Sequence, residues 1–477
     1  MKSQNRNKRK IFINTFHMTY GSVIEKLLLF FGTVLIARYL SIEHYGVYTT
    51  ALGLATFFSM FTNLNLNMSI IKTIGTHRNH QDEFFTASLF IKSILSIAVY
   101  LSIIITLMFA GYGEDAFYLT LILGIIRIAG EFINTSYAYY EANEKFKITA
   151  LLISTFSFLL LIGTILVIFI EGNYYDLVSV RLFITLLFLL LLFFLLRKDY
   201  HLKFDFKIVK NFIREMLPFS GSFAVQNVMS NCGIIILPLM HGTIYAGLYQ
   251  NAFLIIISTT FIFSNLLRVI TPFLYKHPFS SNKDKFQFTF DVYSKIFSAV
   301  SFYLLIIFFI YSQDIISLIF GNKYNDSIRI LKIFAFSLLN ISVAQTIITT
   351  LGKQKVNTLI DTISAIFNII LSYFFIYYYK AEGAAIAYVI TYFLNYVMSN
   401  GYLIKKKYIK YQETFKIKIK LIIFSIIIFI FHILLSFKFQ FFVSIIIDSL
   451  IYIILVICFI LKKDDIRIIK EIFIPNK

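Results

Sequence analysis

Fourteen apolar stretches, each of about 20 residues, follow one another along the 477-residue chain. A helix of about 20 apolar residues is long enough to cross the hydrocarbon core of a bilayer. The chain is 58% hydrophobic and only 14% charged, whereas soluble domains carry about 25% charged residues. The sequence therefore predicts an all-α polytopic membrane protein with about fourteen transmembrane helices.

Short connecting segments separate these stretches, and most of the 44 Lys and Arg residues fall in alternate segments. This asymmetry is typical of the positive-inside rule and predicts that both termini are cytoplasmic. The net charge of +19 is thereby explained by topology, with membrane lipids rather than nucleic acid as the expected partner. The predicted spans are 15–37, 45–71, 84–110, 116–139, 148–170, 175–196, 217–240, 244–272, 290–312, 328–350, 356–379, 384–404, 417–436 and 440–461. The basic residues placed outside are Arg38, Lys323, Arg329, Lys380 and Lys438.

Two blocks of sequence occur twice, in the same order and at similar offsets. Residues 46–51 (GVYTTA) return as 247–252 (GLYQNA), and 145–151 (KFKITAL) return as 353–359 (KQKVNTL). Each half then contains six spans, an even number, so the halves share one orientation and are related by an axis along the membrane normal. The repeat predicts two six-helix bundles, with two further helices at the C-terminal end.

These observations predict four regions. Residues 1–200 form the N-terminal six-helix bundle, and 201–216 form a basic cytoplasmic linker that lies on the membrane surface as a helix. Residues 217–410 form the second bundle, and 411–477 hold the two extra helices and a cytoplasmic tail. The extra helices consist almost entirely of Ile, Leu and Phe, which is typical of a lipid-facing appendage.

Polar residues recur at helical spacing on the first two helices of each half. A cavity between the halves, lined by spans one, two, seven and eight, would explain all four stripes. The alternative is that they join helices by hydrogen bonds. The stripes contain His17 and Glu25, next to Lys26, in span one; Asn63 and Asn67 in span two; Gln226, Asn227 and Asn231 in span seven; and Asn251, Asn265 and Arg268 in span eight.

Charged residues also occur inside predicted spans, where one central charge costs about 2.5–3.5 kcal/mol on insertion scales. Lys26 lies near mid-span and is the best cationic candidate for the cavity. Arg127 is central too, but Glu131 follows one turn later, so an internal ion pair is an equal alternative. Lys92, Arg181, Arg268 and Asp361 complete the set of candidate cavity residues.

The chain contains no Walker A loop, zinc-ligand spacing or G-x-S-x-G motif, the patterns that mark several common enzyme classes. Its two cysteines form no metal-ligand spacing or disulfide framework. We therefore expect a transporter rather than an enzyme, without catalytic residues, metal or cofactor, that is driven by a gradient.

Several motifs resemble those of polysaccharide flippases in the multidrug/oligosaccharidyl-lipid/polysaccharide exporter superfamily. The resemblance covers the first twelve spans, and two extra helices occur in the fourteen-helix members. The motifs are 37–40 (ARYL) with 43–48 (EHYGVY), 217–219 (LPF) with 246–249 (AGLY), and 351–355 (LGKQK) with 367–371 (FNIIL) and 381–387 (AEGAAIA).

The resemblance implies the substrate, an oligosaccharide repeat unit on undecaprenyl pyrophosphate that crosses the bacterial inner membrane by alternating access. This substrate serves surface polysaccharide synthesis, such as O-antigen, lipopolysaccharide or capsule, beside a polymerase and glycosyltransferases. Lys26 is then the predicted pyrophosphate ligand. Many members carry Asp about thirteen residues after the span-seven proline, where this chain has Asn231. Glu25, Glu131 and Asp361 remain candidate proton carriers.

Three alternatives stay open from the sequence. A drug or cation antiporter of the same fold would use a central carboxylate and fewer sugar-binding polar groups. A flippase for peptidoglycan lipid precursors shares the fold and the number of helices, with a more strongly cationic cavity expected. A membrane-bound polymerase or ligase would need a large outside loop, and the longest one here, near 313–327, is short.

Overall fold

The computed structural model describes residues 2–276, 279, 283–435 and 441–460, all of them in helices or in the turns and short segments that join helices. Side chains are described within these ranges except at 2–16, 215, 217–219, 222, 268–276, 285 and 434–435. The helices of the first half are α1 (Lys2–Tyr39), α2 (Ile42–Asn63), α3 (Leu66–Thr76), α4 (Gln81–Ala110), α5 (Glu114–Ala142), α6 (Phe146–Phe169) and α7 (Tyr174–Leu196). The others are α8 (Phe206–His241), α9 (Thr243–Lys276), α10 (Lys283–Ile310), α11 (Ser312–Ile319), α12 (Ser327–Ala335), α13 (Ala344–Thr350), α14 (Gln354–Lys405), α15 (Gln412–Leu435) and α16 (Phe441–Phe459).

Eleven helical stretches within the described ranges are long and apolar enough to cross a membrane, and no strand occurs in those ranges. Every one of the fourteen predicted spans falls on helix. The prediction of an all-α polytopic membrane protein is therefore confirmed.

Four of the predicted spans depart from single straight helices. Span two is divided into α2 and α3 because Leu64 and Asn65 adopt left-handed backbone angles. Span ten consists of α12, a 3-10 turn and α13. Spans eleven and twelve are the two arms of α14, which turns at Lys380 (φ 50°, ψ −128°).

The chain divides into two compact units, Met1–Gly247 and Leu248–Lys477. The first unit contains the predicted N-terminal bundle together with the linker and α8. One of its apolar cores joins α3, α4, α5, α6, α7 and α8, around side chains such as Phe85, Phe188 and Phe212. The predicted linker is helical only from Phe206, where the Asp205 side chain accepts a hydrogen bond from the Lys207 amide and caps α8.

Two turns reproduce the internal repeat in backbone detail. Lys145 immediately precedes α6 and Lys353 immediately precedes α14. The residue before each has a positive φ, 58° at Glu144 and 72° at Gly352. Each lysine amide donates to a carbonyl five residues back, at 2.9 Å for Lys145 and 3.0 Å for Lys353. The two copies thus end one helix and begin the next with the same turn.

The two extra helices of the second unit pack on α10. Apolar side chains of α15 and α16, including Leu421, Ile428 and Tyr452, form a core with Phe302 and Ile306 of α10. The predicted appendage is therefore anchored by one apolar face, while large residues such as Ile426 and Ile453 remain exposed.

Candidate functional site

A cavity of about 410 Å³ lies inside the first unit, within the membrane-spanning helices. Six helices, α1, α2, α5, α6, α7 and α8, contribute to its wall. Apolar and polar side chains line it in similar numbers, and four of the polar ones are charged: Glu25, Arg127, Glu131 and Arg181. Helices α1, α2 and α8 correspond to predicted spans one, two and seven, but this cavity lies within the first unit, so the predicted cavity between the halves stays a prediction.

The charge of Glu131 is balanced from behind the wall. Lys92 is fully buried, and its ammonium nitrogen lies 3.6 Å from Glu131 Oε2. The same nitrogen donates to the Glu131 carbonyl (2.9 Å) and to Thr135 Oγ1 (2.5 Å). Asn67 Oδ1 accepts from both Lys92 and Thr135. This network joins α3, α4 and α5, so the partner of Glu131 is Lys92 and not Arg127.

Arg181 enters the cavity from α7, and its guanidinium donates a hydrogen bond to the Tyr48 hydroxyl. Tyr48 is almost fully buried on α2 and therefore holds the guanidinium in place. Arg127 projects from α5 into the same cavity and interacts electrostatically with Arg181, Tyr48 and Glu131. Within the described residues, neither guanidinium lies within ion-pair distance of a carboxylate.

Other polar groups of the wall are open to a ligand. Glu25 makes no hydrogen bond or ion pair within the described part of the chain. The Tyr137 hydroxyl is buried there without a hydrogen-bond partner. The amides of Asn134 and Asn227 also line the cavity. An unsatisfied buried hydroxyl costs about 1–3 kcal/mol, so this wall is chemically suited to a polar occupant.

The neighbouring charge Lys26 points elsewhere, because successive residues of a helix are about 100° apart. Lys26 is exposed, and it is not one of the residues that line the cavity. In the described structure, the cations that the cavity presents are therefore Arg127 and Arg181.

The remaining sequence-predicted residues do not line this cavity. Asn63 Oδ1 accepts from the Asn67 amide at the break between α2 and α3 (3.3 Å). Asn231 and Asn265 donate to carbonyls one turn back on their own helices, at 2.9 and 3.0 Å. Asn251 is fully buried, with neither amide atom hydrogen-bonded in the described structure. His17 is half-buried and Gln226 is exposed, and the Arg268 side chain lies outside the described residues.

Asp361 belongs to a separate network in the second unit. It is fully buried on the first arm of α14 and accepts from Gln345 (2.8 Å) and Asn395 (3.0 Å). Asn357 donates to the Gln345 carbonyl (2.9 Å), and Asn368 donates to Thr391 (3.0 Å). These bonds hold the two arms of α14 and helix α13 together.

Sequence reasoning missed Tyr48, Tyr137 and Thr135. Tyr48 lies within the repeated block 46–51, and this repetition was the one available signal. Tyr137 and Thr135 follow Glu131 on α5, among the buried tyrosines of an apolar helix, and nothing in their spacing distinguishes them from core residues.

The arrangement is suited to binding an anion that also carries hydroxyl groups. Two guanidiniums supply planar hydrogen-bond donors that match phosphate oxygens, and amides, a phenol and a carboxylate supply donors and acceptors for hydroxyls. Within the described residues, no group of three or more His, Cys, Asp or Glu side chains could hold a metal ion.

Comparisons with known proteins identify the family of the chain. Residues 35–329 match the family described as polysaccharide biosynthesis protein. The capsular polysaccharide biosynthesis protein CapF of Staphylococcus aureus is 24% identical over 399 residues, which cover 80% of this chain and 96% of CapF.

Solved structures share the fold. The lipid II flippase MurJ, in an inward closed conformation, aligns with a TM-score of 0.71 at 18% identity, over 92% of this chain and 97% of MurJ. A MOP superfamily transporter from Pyrococcus furiosus aligns with a TM-score of 0.57 at 14% identity, over 84% of this chain and 95% of its own. A MATE transporter in complex with MaL6 gives a TM-score of 0.56 at 14% identity, over 84% and 96% of the two chains.

Proposed function

This chain belongs to the polysaccharide biosynthesis protein family, and from that premise we propose that it is a flippase for lipid-linked oligosaccharide repeat units. It moves repeat units on undecaprenyl pyrophosphate from the cytoplasmic to the outer leaflet of the bacterial inner membrane. The likeness to CapF favours a capsular polysaccharide as the final product. Both termini are cytoplasmic in this proposal, and the protein works between the glycosyltransferases that build the unit and the polymerase that uses it.

The observation that carries the proposal is the placement of Arg127 and Arg181. They line one intramembrane cavity, and within the described residues neither has a carboxylate partner. A charge inside a bilayer costs about 2.5–3.5 kcal/mol on insertion scales and is retained where it pairs or binds a ligand. A pyrophosphate group supplies the missing negative charge and enough oxygens for both guanidiniums.

Balancing of Glu131 by Lys92 is what keeps the cavity cationic. Lys92 lies behind the cavity wall and balances the Glu131 carboxylate across an ion pair of 3.6 Å. Glu131 therefore does not compete with the substrate for Arg127. Hydrogen bonds to charged groups contribute about 1.5–3 kcal/mol each. Two guanidiniums therefore bind the charged head group strongly enough that an uncharged lipid is excluded.

The sugar end of the substrate meets the amides and the phenol of the wall. Asn134, Asn227 and Tyr137 line the cavity, and hydroxyl groups of a sugar satisfy such donors and acceptors. Glu25 faces the same space and, as the sequence predicts, is a candidate proton carrier. The polyprenyl tail stays in the lipid during transit.

The test is export of surface polysaccharide in cells that lack the native gene. Arg127→Ala and Arg181→Ala should each abolish export at normal protein levels in the membrane. Arg127→Lys and Arg181→Lys should retain part of it, because lysine keeps the charge but loses bidentate geometry. Arg78→Ala is the matched control, since Arg78 is exposed and pairs with Glu144 (2.9 Å); this variant should export normally.

Normal export by both alanine variants would overturn the proposal. Lys26→Ala distinguishes this proposal from the sequence-based prediction. That prediction makes Lys26 the pyrophosphate ligand and expects the variant to lose export. Normal polysaccharide export combined with a block in peptidoglycan precursor transport would instead assign the chain to the precursor flippases.

A further inference from the structure

The segment that joins α7 to α8 is fixed to the first unit at two points. The Lys203 amide donates to Thr86 Oγ1 (3.2 Å), and the Tyr200 hydroxyl lies 2.6 Å from the same oxygen. The Phe204 ring packs against Phe90 of α4, with ring centroids 5.1 Å apart. Residues 201–210, called the strap below, are therefore held against one side of the bundle.

Three large apolar side chains of the strap are nonetheless uncovered. Leu202 is 79% exposed, Phe204 57% and Phe206 69%. Leu202 and Phe204 alternate along the segment before α8, and Phe206 is the first residue of that helix. Large apolar side chains that the protein leaves uncovered mark a contact with a membrane or a partner.

Basic side chains are interleaved with these apolar ones. Lys203, Lys207 and Lys210 are all exposed. Asp205 is the single acid of the strap, and its carboxylate accepts a hydrogen bond from the Lys207 amide (2.7 Å) as the cap of α8. A lysine beside an apolar anchor can extend its long side chain to the charged groups of the membrane interface.

We propose that the strap is a binding site for anionic phospholipid on the predicted cytoplasmic side. Leu202, Phe204 and Phe206 enter the boundary between head groups and acyl chains. Lys203, Lys207 and Lys210 then pair with lipid phosphates, each worth close to a factor of five in affinity at an anionic surface. The combination of apolar anchors and cations commits the site to a lipid, because a soluble anion offers nothing to the three apolar groups.

The chain contains no tryptophan, so one introduced indole is a unique fluorescent probe. Phe206→Trp is conservative and places this probe in the strap. The full-length variant is reconstituted in vesicles that contain equal fractions of phosphatidylglycerol and phosphatidylcholine, with bromine on the acyl chains of one lipid at a time. Bromine quenches the indole only at contact, so the ratio of the two quenching signals measures lipid preference.

Brominated phosphatidylglycerol should quench about threefold more than brominated phosphatidylcholine. High salt should reduce this preference, because salt screens exposed charges. The triple change Lys203→Gln, Lys207→Gln and Lys210→Gln should make the two signals equal. The matched control is Lys353→Gln with Lys355→Gln, an exposed basic pair at the start of α14 and away from the strap, and it should keep the preference.

Two results would overturn the proposal. Equal quenching by the two lipids before any lysine is changed would mean that the strap does not select anionic lipid. Emission typical of indole in water, with no quenching by either lipid, would mean that the apolar side chains do not reach the membrane and face a soluble partner or solvent instead.

Discussion

The two units contain polar clusters of contrasting kinds. In the first unit, Arg127, Arg181 and Glu25 face a cavity of about 410 Å³ and lack ion-pair partners within the described residues. In the second unit, Asp361 is fully buried and accepts hydrogen bonds from Gln345 and Asn395. A row of polar residues on a membrane helix can thus either bind a ligand or join helices. It is available to a ligand where neighbouring side chains do not already form its hydrogen bonds.

The backbone of the repeat does not explain this difference. The turns before α6 and α14 have the same hydrogen bonds and the same positive φ. The two halves therefore share a scaffold while their polar contents have diverged. If that is correct, removing a polar group should destabilise the second unit and should impair transport in the first.

The largest expected effect on stability is at Asp361. Asp361→Ala removes one charged hydrogen bond from each of the Gln345 and Asn395 amides, which keep their bonds to Asn395 Oδ1 and Ser364 Oγ. A hydrogen bond to a charged group contributes about 1.5–3 kcal/mol, so we expect a loss of about 4 kcal/mol. Glu25→Ala removes no hydrogen bond in the described structure and should change stability by less than about 1 kcal/mol. Thermal unfolding in detergent measures both, and equal losses would refute the contrast between the units.

A smaller effect is expected for the ion pair behind the cavity wall. Lys92→Met leaves the Glu131 carboxylate without its cation, and breaking a buried pair costs about 3 kcal/mol. Adding Glu131→Gln should restore most of that loss, because the double variant no longer buries a lone charge. The unfolding midpoints of the two single variants and the double variant give the coupling.

The rescue also distinguishes structure from transport. If Lys92 only balances Glu131, the stable double variant should still export polysaccharide. A double variant that is stable but inactive would place Lys92 or Glu131 in the transport mechanism itself.

The smallest effect concerns the repeated turn. A non-glycine residue in the left-handed region costs about 1 kcal/mol or more. Gly352→Ala should therefore destabilise the second unit by about 1 kcal/mol. Glu144→Gly at the equivalent position should stabilise the first by a similar or smaller amount, since it also removes the exposed ion pair with Arg78. Opposite shifts in the unfolding midpoint are expected, and shifts of the same sign would argue against equivalent turns.

Hydropathy and charge asymmetry predicted the helices well, because each span is long and its apolar composition is a property of its own stretch of sequence. The same reasoning included Arg127 and Arg181 among the candidate cavity residues, although it placed Arg181 near a span end. It could not identify Lys92 as the partner of Glu131, since helical spacing reports only neighbours on one helix and this pair joins α4 to α5. Distances across helices depend on packing, which no periodicity encodes.

Asp448 shows the same limit in the C-terminal helices. Its sequence neighbourhood contains no polar stripe, yet in the structure its carboxylate accepts from the Tyr311 hydroxyl (2.6 Å) and lies 3.0 Å from His432 Nδ1. The three residues come from the turn between α10 and α11, from α15 and from α16. Only the tertiary structure reveals that a lone acid in an apolar helix is satisfied.

The most direct test of the central claim is the affinity of the purified protein in lipid nanodiscs for undecaprenyl pyrophosphate, compared with undecaprenyl monophosphate. The unmodified chain should prefer the pyrophosphate. The double variant Arg127→Gln with Arg181→Gln should bind it at least tenfold more weakly, given about 1.5–3 kcal/mol for each charged hydrogen bond. Asp361→Asn should bind as the unmodified chain does. Unchanged affinity in the double arginine variant would contradict the account.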